Sequence, residues 1–131
     1  MVKIAIGALV AILVASGAAN AQTPAAPDEA ALMRDFLSGT WEVDVPAGNW
    51  SAKYFLAADH TYRETGSDGP VRGKWIVENG KICTTPDNGP AAPDRLARYC
   101  NKGAGRRTGE QWTDEDPVTG NTVFFTLKAG R

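Results

Sequence analysis

The chain has 131 residues, with 14 basic and 15 acidic side chains, one histidine and two cysteines. That length suits one domain, and a net charge of −1 offers no basic surplus to displace counterions from phosphates, so nucleic-acid binding is not expected. One histidine and two cysteines are too few for a typical zinc site, and no cofactor fingerprint occurs, so no cofactor or metal is expected.

Residues 1–21 read as a secretory signal. Lys3 supplies a positive start, Ile4 to Ala15 is apolar and broken only by Gly7, and Ala19-Asn20-Ala21 fits the small-x-small cleavage pattern. The apolar run falls short of the roughly 20 residues needed to span a bilayer. The first cysteine after it is Cys83, so neither a spanning helix nor a lipid anchor is expected in the mature protein. Export to a bacterial periplasm or the exterior follows. In such an oxidising setting Cys83 and Cys100 are expected to pair, closing a loop of about 17 residues worth ~3 kcal/mol in the chain-entropy model.

Residues 22–27 (QTPAAP) have no apolar period and read as a flexible N-terminal segment. A single domain is expected over residues 28–131. Asp28 is placed to cap a short helix in which Leu32, Met33, Phe36 and Leu37 recur at helical spacing, until Gly39 stops the run. Short strands separated by turn residues are then expected at Thr40–Val45, Ser51–Leu56, Thr61–Thr65, Val71–Glu78, Lys81–Thr85, Leu96–Asn101, Gly109–Thr113 and Thr122–Leu127.

Glu78-Asn79-Gly80-Lys81 predicts a two-residue hairpin, because Asn-Gly accepts positive φ at both central positions. It would pair Val77 with Ile82 and Trp75 with Thr84 on one face, leaving Ile76 and Cys83 on the other. Ala58-Asp59-His60-Thr61 resembles the same turn, with His60 in the glycine position. Gly39-Thr40-Trp41, Gly73-Lys74-Trp75 and Gly109-Glu110-Gln111-Trp112 suggest three tryptophan-bearing strands entering one core from the same end. Eight such strands are satisfied by a small antiparallel meander barrel, which removes exposed edges. Trp41, Trp75, Ile82, Trp112, Phe125 and Leu127 are the expected core.

Four places carry candidate chemistry. His60, the only histidine, is where imidazole chemistry would have to sit, with Asp59 and Thr61 beside it, although the turn alone accounts for it. Asp114-Glu115-Asp116 brings carboxylates to a hairpin tip without the spacing of a calcium loop. Arg106 and Arg107 follow the glycines of a loop and are candidate anion contacts. Trp50 is the tryptophan expected at a rim, the other three filling the interior of a small barrel. No G-x-S-x-G nucleophile elbow is present.

Leu37-Ser38-Gly39-Thr40-Trp41, entered from a short helix, resembles the first signature of lipocalins and related calycins, whose G-x-W plugs the closed end of a barrel. It is equally similar to the opening of small periplasmic inhibitors of bacterial metalloproteases, which insert a flexible N-terminal segment into the protease cleft. That likeness would give residues 22–27 the inserting role. Those inhibitors carry a cysteine early in the barrel, whereas both cysteines here fall in the second half. Gly73 to Cys83, a G-x-W strand turning into a G-x-x-C strand, looks like a pattern of small uncharacterised secreted bacterial proteins.

The sequence therefore predicts a non-enzymatic exported barrel that binds a protein or envelope component through loops at one end. Protease inhibition and lipocalin-like carriage of a small apolar ligand are the alternatives.

Overall fold

Residues 28–131 are described by a computed structural model; the expected signal and flexible segment, residues 1–27, lie outside the described residues. One helix, α1 (Glu29–Ser38), precedes eight strands. These are β1 (Gly39–Val45), β2 (Trp50–Leu56), β3 (Thr61–Gly66), β4 (Val71–Glu78), β5 (Lys81–Pro86), β6 (Tyr99–Asn101), β7 (Gln111–Glu115) and β8 (Thr122–Ala129). As predicted, Asp28 caps α1, its carboxylate accepting a hydrogen bond from the Ala30 amide at 3.2 Å.

The strands form one sheet in the order β6-β5-β4-β3-β2-β1-β8-β7, every neighbour antiparallel, curled into a nearly closed barrel. The expected small all-β barrel with one N-terminal helix is what forms. The hairpin at Asn79-Gly80 has positive φ at both residues (51° and 74°) and sets the predicted register, Val77 opposite Ile82 and Trp75 opposite Thr84. His60 takes the predicted left-handed position at φ 68°.

Antiparallel pairing throughout makes β1, β3, β5 and β7 run away from α1, and β2, β4, β6 and β8 run towards it. The expectation that three tryptophan strands enter from one end is therefore corrected. β4 runs opposite to β1 and β7, and Trp75 reaches the helix end because it lies late in its strand.

At that end α1 is the plug. Met33 and Phe36 are buried, and Phe36 meets Trp41 and Trp112 edge-on at 5.6 and 6.1 Å. Phe125 stacks between the two tryptophans at 5.8 and 5.3 Å. All six expected core residues are buried.

Three strands differ from expectation by two residues or more; β8 runs on to Ala129, two residues past its expected end. β6 has three residues instead of six, because Pro90 and Pro93 punctuate the preceding segment and Arg95 is drawn away to the barrel rim. β7 starts at Gln111, two residues late, since Gly109 at φ 89° is still in the loop. Cys83 and Cys100 lie directly opposite each other on β5 and β6 and form the expected disulfide.

Candidate functional site

The interior divides into two halves. Towards α1 it is filled by aromatic rings; away from α1 it holds a cavity of about 240 Å3 that opens between the loops. The expectation that the tryptophans fill the barrel holds for one half only. Trp41, Trp75 and Trp112 are buried, whereas Trp50 lies half-buried on the rim.

Strand alternation builds the cavity. β1 contributes Val43 and Val45, β2 Tyr54, β3 Tyr62 and Glu64, β5 Thr84, β6 Tyr99 and β8 Val123. Tyr54 stands directly opposite Glu64 across the β2–β3 pair. The Tyr54 ring lies 5.0 Å from Trp41 and 5.7 Å from Tyr62, forming an aromatic floor. Tyr62 lies across Gly73 of β4, where a Cβ would come within 2.5 Å of the ring, so the absence of a side chain there makes room for this floor.

Glu64 is 6% exposed and, among the described residues, is the only charged one that is buried. Burial raises its pKa above the usual carboxylate range, opposed by hydrogen bonding from Tyr54 and by Arg95, with Asp68 adding to the rise. The Tyr99 hydroxyl is buried and has no hydrogen-bond partner among the described residues. Burial likewise raises the pKa values of Tyr54, Tyr62 and Tyr99.

The rim is ordered by Asp68, in the β3–β4 turn. It accepts from Trp50 Nε1 at 2.9 Å and from Arg95 Nε and Nη2 at 3.1 and 3.4 Å, while the Arg95 guanidinium sits 5.5 Å over the Trp50 ring. Three loops are thereby tied into one wall, and the Asp68 hydrogen bond raises the Arg95 pKa further.

The four binding candidates named from sequence are not brought together. Trp50 is at the mouth; His60, Arg106 and Arg107 are at the opposite, closed end. His60 Nε2 lies 2.6 Å from Glu29 of α1, and its ring packs on Trp75 at 4.5 Å. Asp59 does not orient that imidazole. The Thr61 hydroxyl and amide both donate to it and hold its pKa below the usual carboxylate range.

Arg107 donates to the Ala31 carbonyl at 3.3 Å, and Arg106 lies 5.3 Å over the Trp112 ring. With His60, these two arginines latch α1 and the 102–110 loop onto the barrel. Arg131 completes the latch by donating to the carbonyls of Phe36, Leu37 and Leu56.

The acidic run does not converge either. Asp116 accepts from the Val118 and Thr119 amides of its own turn, and Asp114 from the Glu115 amide. Among the described residues no group of three or more His, Cys, Asp or Glu is placed to hold a metal.

Glu64 and the three tyrosines are functional candidates that sequence reasoning missed. Their signal was present in Thr61–Thr65: alternation puts an acidic residue on the same face as Tyr62. No family model matches the chain, and comparisons with curated proteins and with solved structures give no match.

Proposed function

We propose that the protein is a non-enzymatic exported barrel that holds one small, partly apolar molecule in its open half. The observation that carries this reading is the cavity of about 240 Å3, floored by tyrosines and opening between loops. Ligand sites are concave, mostly apolar and furnished with a few polar groups, and this one combines valine and aromatic walls with Glu64, Thr84 and the unpartnered Tyr99 hydroxyl.

The expectation drawn from sequence is a protein or envelope component bound by loops at one barrel end, with carriage of a small apolar ligand as an alternative; the cavity favours that alternative. A catalytic role finds no support in the arrangement of His60 or of the acidic run. The Cys83–Cys100 disulfide supports export, and among the described residues no helix is long and apolar enough to cross a membrane. The inhibitor reading depends on residues 22–27, outside the described residues, and nothing in the barrel adds to it.

Heteronuclear NMR of the mature chain titrated with neutral single-ring compounds tests the proposal. Shift changes centred on Val43, Tyr54, Thr84 and Val123 are expected. Changes confined to the outer surface, or none with any compound, would overturn it.

A further inference from the structure

Glu64 asks for an explanation that packing does not provide. It occupies an inward position of β3 where a barrel would ordinarily place an apolar side chain, and it is 6% exposed. A buried carboxylate is costly unless it is paired and hydrogen-bonded. Its protein neighbours meet that need only in part. Tyr54 stands opposite it across the strand pair, while Arg95, whose charge favours the ionised form, is committed to Asp68 through two nitrogens.

The surroundings favour positive charge. The faces of Tyr54 and Tyr62, 5.7 Å apart, carry the negative side of the ring quadrupole. At the mouth, Asp68, Asp94 and Asp116 outnumber Arg95, so the field across the opening draws cations inward. Size sets the other limit. A void of about 150 Å3 accommodates a benzene-sized guest, so 240 Å3 takes a single ring or its aliphatic equivalent with a short arm.

We infer that the cavity takes a small organic cation, an ammonium group on an apolar body of about one aromatic ring, with Glu64 as its counter-ion. This rests on the reading of the cavity as a ligand site and names the ligand's chemical class. In the complex the ammonium donates to the Glu64 carboxylate, the tyrosine faces flank the charge, and the apolar body lies against Val43, Val45 and Val123.

Three probes sharing one body separate the two claims: phenethylammonium, 2-phenylethanol and phenylacetate, titrated calorimetrically into the mature protein at neutral pH. The expected order is amine over alcohol by at least about tenfold, the magnitude of a charge-assisted hydrogen bond, with the acid weakest. Glu64→Gln should abolish the amine's advantage over the alcohol.

Wild-type protein gives a second readout that does not depend on a variant folding. Amine affinity should fall as pH drops through the raised pKa of Glu64, while alcohol affinity stays level. Of the other groups facing this carboxylate, Tyr54, Tyr62, Tyr99 and Arg95 keep one protonation state across that range. Asp68 is shared by wild type and Glu64→Gln, so the difference between them isolates Glu64. Equal or tighter binding of the alcohol or the acid overturns the cationic assignment and leaves the ligand reading standing. Failure of all three probes to bind overturns both.

Discussion

Glu64 and Asp35 show how a carboxylate acquires opposite roles from its surroundings. Asp35, on α1, accepts from the Thr108 amide at 2.8 Å, and that backbone hydrogen bond holds its pKa below the usual carboxylate range. Its contribution is present above the unfolded pKa and is lost as pH falls through the lower folded value. Glu64 has the opposite sign. Burial raises its folded pKa, so the folded state binds the proton more tightly than the unfolded chain, and stability is lost as pH rises through the window between the two values. Chemical denaturation of wild type and Glu64→Gln across mildly acidic to neutral pH should show the variant gaining on wild type as pH rises. A constant difference would mean that Glu64 is not held in a desolvated site. Sequence reading missed both residues: Glu64 left a local signal, an acid on the Tyr62 face of a strand, whereas the Thr108 partner of Asp35 is 73 positions away.

Elements were legible wherever their signal was local. The Asn79-Gly80 turn and the Asp28 cap each depend on a few adjacent residues, and each formed as expected. β6 was overestimated because its pairing is non-local: only Tyr99, Cys100 and Asn101 find partners on β5, and the rest of the segment is pulled to the rim by Arg95. This short strand makes the disulfide consequential. Cys83–Cys100 anchors β6, hence Tyr99 in the cavity wall and the loop that delivers Arg95. Replacing both cysteines by serine should cost about 3 kcal/mol, the scale for a loop of this length. It should also weaken ligand binding, because β6 carries part of the site. Denaturant unfolding and ligand titration of the double variant check this; an unchanged affinity would show that β6 does not shape the cavity.

At the scale of the whole molecule the barrel separates support from function. The helix end concentrates aromatic packing and the latch made by His60, Arg107 and Arg131, whereas the other end gives up packing to a cavity. That division was not legible in the sequence. Four tryptophans in a small barrel argue for a filled interior, and only the strand directions place three of them in one half. His60, Arg106 and Arg107 stood out in sequence because they are chemically versatile, yet sheet order puts them at the end opposite Trp50.

Whether the open half is a binding cavity or a packed core is decided by Val43→Phe, with unfolding free energy and 2-phenylethanol affinity measured on the same protein. Val43 is buried and faces the cavity. The added ring should fill existing space, leaving stability within about 1 kcal/mol of wild type, and should weaken binding by at least about tenfold. A loss of about 1–3 kcal/mol, as overpacking a filled core causes, with affinity for the alcohol unchanged, would contradict the binding cavity.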